Sequence, residues 1–359
     1  MKPRLIAFYL PQFYPTPEND EWWGKGFTEW TNVGRAKPLF KGHYQPRVPA
    51  DLGYYDLRIP EIREEQAKMA RKAGIEGFCY WHYWFGNGKR LLSRVFKEVV
   101  DSGKPDFPFC LCWANHSWLA KTWDPNKPPR MLMEQTYPGV DDYVAHFYEM
   151  LPAFKDNRYI KVNGKLLFGL FAPLDMPEIQ LFKDTWNDLA RKNGLAGFKF
   201  FGYMPNPKNA TKVLTNFDYV TTDYYAEAIT SKDVFIKRGL KWINTHILNR
   251  PYVGIYSDYV AYTIRQMSDC TQELPCLLPN YDHTPRSGNR GLLLHKSTPK
   301  LFAELLSKCL DVRKNIPDEE NIIFIKAWNE WGEGNYLEPD LKYGKGYLEA
   351  IREVLDAVK

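Results

Sequence analysis

Eight short apolar runs interleaved with helical patterns, and no glycine-rich phosphate loop after the first run, predict an α/β fold. The architecture expected is a (β/α)₈ TIM-type barrel with long inserted loops at its C-terminal face. Alternation of strand with helix argues for a parallel sheet, and eight repeats argue for closure rather than an open doubly wound sheet. Such a barrel needs about 250 residues. The chain has 359, so the surplus must sit in loops. No internal repeat, low-complexity tract or linker breaks the sequence, and a single domain over residues 1–359 is expected.

The strands are expected at 4–9, 75–81, 107–112, 166–171, 197–202, 217–222, 275–281 and 322–327. Most are rich in Ile, Leu, Val, Phe and Tyr and are bounded by Gly, Pro, Asp or Asn. The sixth and seventh carry the weakest pattern. Helical spacing covers 60–73, where Pro60 opens the first turn and Gly74 follows the last residue. It recurs over 90–102 before Gly103, over 140–154, and over 177–193 before Gly194. It also covers 254–269, 298–313 and 345–358. Two stretches fit no element: 11–58, rich in Pro, Trp and Gly, and 223–253. Long ordered loops in compact domains usually serve function.

Composition narrows the function classes. The net charge of +5 is scattered and no basic run suggests nucleic acid as a partner. No stretch approaches the apolar length of a membrane span. The apolar run after Met1 is too short for a signal peptide, so a cytoplasmic location is expected. Of six cysteines, Cys79, Cys110 and Cys112 fall in strand-like runs and read as reduced core residues. Strand alternation puts Cys110 and Cys112 on one face. No second Cys pair or His cluster at zinc-like spacing accompanies them, and neither metal nor cofactor is expected.

The chemistry concentrates after the eighth strand, where Trp328, Asn329, Glu330, Trp331, Gly332, Glu333 and Gly334 follow one another. Two carboxylates three residues apart, flanked by indoles, supply what glycosidic-bond chemistry requires: a proton donor, a second carboxylate, and flat faces for a sugar ring. Their Cα atoms lie at most about 10 Å apart, a spacing compatible with retaining or inverting geometry. One of the two must stay protonated near neutral pH, which calls for burial or a like-charged neighbour. Trp328 and Trp331 are expected to provide a low-dielectric wall.

The other strand ends carry a matching mixture of rings and polar groups. Tyr9, Gln12, Trp22, Trp23, Glu29 and Trp30 follow the first strand. Tyr80, His82, Tyr83 and Trp84 close the second; Trp113, Asn115, His116 and Trp118 close the third. Asp282, His283 and Arg286 follow the seventh, and Asn329 and Trp331 flank the carboxylates. Singly, each has a structural explanation. Together, interleaved at one end of a barrel, they suit an oligosaccharide or polysaccharide. Glu330 and Glu333 are the catalytic candidates and the others are substrate-binding candidates.

These residues carry a resemblance. The stretches 8–13 (FYLPQF), 18–30 (ENDEWWGKGFTEW), 43–46 (HYQP), 77–84 (GFCYWHYW), 108–115 (PFCLCWAN), 327–334 (AWNEWGEG) and 337–339 (LEP) resemble the WbsX-type proteins. That group belongs to bacterial O-antigen and capsule gene clusters, is often described as glycosyltransferases, and is similar to glycoside hydrolase family 99, the endo-α-mannosidases. The resemblance covers nearly the whole chain and implies a (β/α)₈ barrel. It implies that Glu330 is the base on a sugar's 2-hydroxyl and Glu333 the acid on the leaving group. Relatives read Trp-Ala-Asn-Glu-Asn-Trp after the third strand, whereas this chain has His116 and Ser117; Tyr336 is the candidate for the family's supporting tyrosine.

The function so implied is a retaining glycoside hydrolase or transglycosidase acting, through the 2-hydroxyl, on α-linked manno- or rhamno-configured bacterial polysaccharide. The alternatives are a glycosyltransferase of O-antigen or capsule biosynthesis and a non-catalytic carbohydrate-binding protein. Against the transferase stand the missing nucleotide-sugar fold and Asp-x-Asp motif.

Overall fold

The computed structural model describes residues 3–120, 130–205, 207–230, 243 and 250–358. Eight parallel strands close a ring: β1 (Arg4–Tyr9), β2 (Gly77–His82), β3 (Phe109–Trp113), β4 (Lys165–Leu170), β5 (Phe198–Tyr203), β6 (Tyr219–Thr222), β7 (Glu273–Leu277) and β8 (Ile322–Ile325). Each pairs with its successor, and β8 returns to β1 with Arg4 opposite Ile322 and Ala7 opposite Ile325. The ring therefore has no open edge among these strands, the defining property of the (β/α)₈ barrel. Every strand expected from sequence is present. The largest displacement is in β7, which ends at Leu277 because Tyr281–Asp282 leaves the ring to pair antiparallel with Leu292–His295.

The helices form where their end signals put them. Pro60–Ala73 starts on its proline and stops at Gly74, whose φ of 94° is open to glycine at little cost. Pro299–Val312 is capped by Thr298, whose hydroxyl accepts from the Leu301 amide. Val140–Phe154 and Gly346–Ala357 also stand within a residue of expectation.

Strand alternation sorts side chains between the barrel interior and the helix layer. Inside, Phe8 stacks on Trp81 at 4.6 Å and on Phe324 at 5.0 Å between ring centroids. Cys79, Cys110 and Cys112 share this interior and are all free thiols. At Gly169 a Cβ would run into the Phe201 ring, so glycine lets that ring cross the barrel. Outside, Tyr80 packs on Phe96 of the helix Ser93–Ser102 and Phe78 on Phe107.

The long insertions lie at the C-terminal end of the strands. Residues 11–58 contain two short helices, Pro17–Trp23 and Glu29–Arg35, each capped by a threonine. After β3, Trp118–Ala120 pairs with Arg130–Met133. The insertion expected at 223–253 begins with the helix Tyr225–Thr230, and 231–242 and 244–249 lie outside the described residues. Among the described residues no helix is long and apolar enough to cross a membrane, and no cluster of side chains could hold a metal ion.

Candidate active site

A cleft of about 800 Å³ opens at the C-terminal end of the barrel. Its floor is made of interior-facing residues at the strand ends: Leu10, Trp81, Ala114, Phe171 and Lys326. The first insertion supplies Gln12, Trp23, Phe27 and Glu29; the loops after β2 and β3 supply Tyr83, His116 and Trp118. His283 and Arg286 come from the loop after β7, and Glu330 and Glu333 from the loop after β8. Rings and charged groups thus face one sugar-sized space.

The carboxylate pair is held by a tight hairpin. Asn329–Glu330 pairs antiparallel with Asn335–Tyr336 across a 3₁₀ turn at Trp331–Glu333. Gly334 closes the turn at φ 50°, where a Cβ would press on Asp282 and Arg47. The Asn329 side chain clamps the backbone of Leu10: its Nδ2 donates to the carbonyl at 3.0 Å and its Oδ1 accepts from the amide at 2.8 Å. Beneath the turn Trp331 stacks on Tyr336 at 3.7 Å and donates from Nε1 to Glu338 at 2.6 Å. Glu338 also accepts from Tyr55 and Gln66. Trp331 and the equally buried Trp328 are therefore the bed of the site, not its wall. The indole that meets a catalytic candidate is Trp81, whose Nε1 donates to Oε1 of Glu330 at 2.6 Å.

The two carboxyls are pushed apart electrostatically. Burial, reinforced by the charge of Glu333, raises Glu330 to about 7, against the opposing pull of Lys326, Arg286 and the Trp81 bond. Burial would also raise Glu333, but Arg286, Lys326 and His283 outweigh it and hold Glu333 down at about 2. Each carboxyl shifts the other's ionisation. Between about pH 2 and 7 the pair therefore holds one proton, favoured on Glu330.

Two cations fix this distribution. Arg286 bridges the carboxylates of Glu333 and Glu29, with Nη2 2.9 Å from Glu29 Oε2. At Gly332 a Cβ would collide with that Glu29 carboxylate, so this glycine makes room for the bridge. Lys326 rises from the floor, its Nζ 2.9 Å from the Tyr203 hydroxyl and 3.6 Å from Asp223. Tyr203 in turn donates to Asp223. Burial alone would lower Lys326, but Asp223, Glu333 and Glu330 reverse that and hold it charged.

Ten of the residues singled out from sequence meet in the cleft: Gln12, Trp23, Glu29, Tyr83, His116, Trp118, His283, Arg286, Glu330 and Glu333. Others stand behind it. Tyr9, Tyr80, His82 and Trp113 point out of the barrel by strand parity. Tyr9 donates to Gln66, and His82 meets His146, Nε2 to Nε2, at 2.7 Å. Burial lowers His82 to about 3, so it is neutral there. Trp84 donates to Asp142 and Trp113 to the Trp84 carbonyl. Asn115 ties the loop after β3 to Ala172 and Tyr137. Trp22 packs edge-on against Trp118, and Trp30 packs edge-on against Tyr55 and tilted against Trp331. Asp282 and Asn329 are fully buried scaffold residues. Sequence reasoning missed Trp81, Phe27, Phe171 and Lys326 as cleft residues; parity counted along β2 and β8 identifies the first and last.

Comparison with known proteins agrees with this architecture. A family model described as "Glycosyltransferase WbsX" matches residues 5–351. Two curated relatives from strains of Xanthomonas campestris pv. campestris, both described as "Uncharacterized protein WxcX", are 35% and 36% identical over 98% of this chain. The chain spans about half the length of these relatives, 49% in each case. Among solved structures, an endo-α-mannosidase of glycoside hydrolase family 99 from Bacteroides thetaiotaomicron superposes with a TM-score of 0.59 at 15% identity. That match covers 99% of this chain and 97% of the other. A "Glycoside hydrolase-like protein" matches with a TM-score of 0.59 at 14% identity, over 99% and 94% of the two chains. At these identities the likeness is one of fold.

Proposed function

The chain belongs to the WbsX glycosyltransferase family of carbohydrate-active enzymes, and from that premise we propose that it works as a retaining glycoside hydrolase or transglycosidase. Its substrate in this reading is an α-linked, manno- or rhamno-configured bacterial polysaccharide, and the sugar's own 2-hydroxyl takes part. The observation that carries the proposal is the carboxyl pair: Glu330 and Glu333 line one cleft, and their surroundings push their pKa values in opposite directions.

In the first step one carboxylate takes the 2-hydroxyl proton, O2 attacks C1, and the C1–leaving-oxygen bond breaks as the other carboxyl protonates that oxygen. In the second, water or an acceptor hydroxyl attacks C1 and gives its proton to the second carboxylate, while the C1–O2 bond breaks and O2 recovers its proton from the first. Resemblance makes Glu330 the base and Glu333 the acid. The first step then needs the shared proton on Glu333, while the open cleft keeps it on Glu330, the distribution that suits the second step. In this reading the proton passes between the two neighbouring carboxyls once a sugar hydroxyl competes for Arg286.

The test is a screen of α-manno- and α-rhamno-configured oligosaccharides, with and without sugar nucleotides, using wild type, Glu330→Gln and Glu333→Gln. Hydrolysis or transfer without a nucleotide, lost in both variants, is expected. Turnover only with a sugar nucleotide would replace this reading by a glycosyltransferase. That second reading draws on the family's description and on Arg35 and Arg290, which line the cleft beside the ion-paired Arg286 and Lys326 and could meet a phosphate group. Binding unchanged in all three proteins, with no turnover, would leave a carbohydrate-binding protein.

A further inference from the structure

A second cavity of about 340 Å³ lies on the same barrel face and shares no lining residue with the cleft. It is bounded by residues 41–47 of the first insertion, the strand Leu292–His295 with the turn that follows it, and residues 340–347. Lys41, Lys296 and Lys342 stand around it and Arg47 lies within it. Among the described residues none of the three lysines has a carboxylate partner. Lys342 rests over the rings of Tyr44 and Tyr343, its Nζ 4.6 and 4.7 Å from their centroids, which fixes the ammonium without neutralising it.

The two carboxylates here answer only part of this charge: Asp282 Oδ2 lies 3.9 Å from Arg47 Nη2, and among the described residues neither acid pairs with a lysine. Asp282 Oδ2 is taken by His43 and Gln45, each at 2.8 Å, and Oδ1 by the amide and hydroxyl of Thr284. Asp340 Oδ2 accepts from Tyr336 and Tyr44, and Oδ1 from the amides of Lys342 and Tyr343. Four formal positive charges thus face two carboxylates whose oxygens are already occupied.

One cation is buried with donor capacity to spare. The Arg47 side chain is 7% exposed; its Nη1 donates to the Gly334 carbonyl at 2.8 Å, while its Nε has no acceptor. A buried guanidinium N–H without a partner is costly unless a ligand supplies one. His295 senses the same excess: burial lowers its pKa, and Lys296, His43 and Lys342 lower it further. Lys296 is also held at φ 64°, uncommon for a lysine.

We propose that this cavity is a phosphate site, taking the phosphate group of a small phosphate ester. A multiply charged tetrahedral oxyanion brings acceptor oxygens for donors converging from three loops, which a neutral sugar cannot do. The volume leaves room for more than the anion itself.

Isothermal titration calorimetry with inorganic phosphate at low salt tests this on the full chain. Wild type binds at one saturable site, and the Lys296→Ala/Lys342→Ala double variant binds at least tenfold more weakly. The Arg35→Ala variant, altered at the cleft, binds like wild type. Both lysines are exposed, so an unchanged circular dichroism spectrum is expected of the double variant. Mannose 1-phosphate and a phosphate-substituted oligosaccharide, titrated in parallel, separate a soluble ester from a glycan-borne group. The ester is expected to bind at least as tightly as phosphate. The proposal is overturned if wild type does not saturate at millimolar phosphate, if the double variant binds as wild type does, or if only the oligosaccharide binds.

Discussion

Trp81 and Glu330 meet across the barrel interior, the indole N–H of one 2.6 Å from a carboxylate oxygen of the other. The bond favours the ionised form of a carboxyl that burial drives the opposite way. In Trp81→Phe the donor is gone, and the ionisation near pH 7 moves to higher pH by about one unit. The pH dependence of kcat/KM on the oligosaccharide found in the screen measures it. A shift downward, or none, would show that the indole does not set this proton's affinity.

Arg286 joins Glu29 to Glu333, so its loss should be felt in catalysis more than in folding. Arg286→Gln is expected to reduce kcat by about 100-fold, the usual scale for removing one preorganised charge contact. Gly332→Ala should do similar damage from a distance, because the new methyl displaces the Glu29 carboxylate that Arg286 grips. Near-normal turnover in Gly332→Ala would mean that the bridge is not needed.

Lys326 and Asp223 form a buried pair with side chains 9% and 0% exposed. Lys326→Met leaves Asp223 without its cation and should cost about 3–5 kcal/mol of stability by chemical denaturation. Adding Asp223→Asn removes the stranded charge and should restore most of the stability. Activity should stay low in the double variant, since Glu330 and Glu333 have both lost the positive charge below them. Recovery of activity along with stability would make Lys326 a purely structural residue.

The proton on Glu330 also has a thermodynamic signature. Its folded pKa, about 7, lies above the unfolded value near 4.5, so wild type loses stability as pH rises through that window. Glu330→Gln lacks this loss and should gain on wild type, on the order of 2 kcal/mol between pH 5 and 8. Glu333 has the opposite sign: its folded pKa, about 2, is below the unfolded one, and its contribution disappears as pH falls from about 4.5 toward 2. Glu333→Gln should therefore be less stable than wild type at pH 7, with the gap closing in acid. Urea midpoints across this range decide both cases.

The roles of the two carboxyls separate with an activated aryl α-mannoside, whose leaving group needs no proton. Glu333→Gln is expected to keep at least about a tenth of wild-type turnover on it and Glu330→Gln to lose about 100-fold or more. The reverse pattern would exchange acid and base.

The barrel was legible because each strand is a short apolar run with its own punctuation, and the helices announce themselves through Pro60, Gly74 and Thr298. Glu330 and Glu333 stood out because two acids inside that tryptophan motif at a strand end fit a site better than a solvated loop, and both line the cleft. What the sequence hid was direction. Tyr80 and His82 look as eligible as Trp81, yet alternation sends both toward the helices and Trp81 into the cleft. Lys326 read as part of an apolar strand expected over 322–327, and its partners Tyr203 and Asp223 lie more than 100 residues away. Trp328 and Trp331, the most conspicuous rings beside the acids, proved to be support, because a tight turn needs something to stand on.

The clamp between Asn329 and Leu10 spans 319 residues of chain. Nothing in the first nine-tenths of the sequence can pre-form the acid pair; the pair exists only once the ring has been sewn shut at the β8–β1 seam. Assembly of the site is therefore a test of completed folding, and a chain caught with the seam open has a barrel's worth of secondary structure but no chemistry. Local opening of the same seam should abolish turnover before the rest of the barrel melts, so the loss of activity on heating marks the first stitch to come undone.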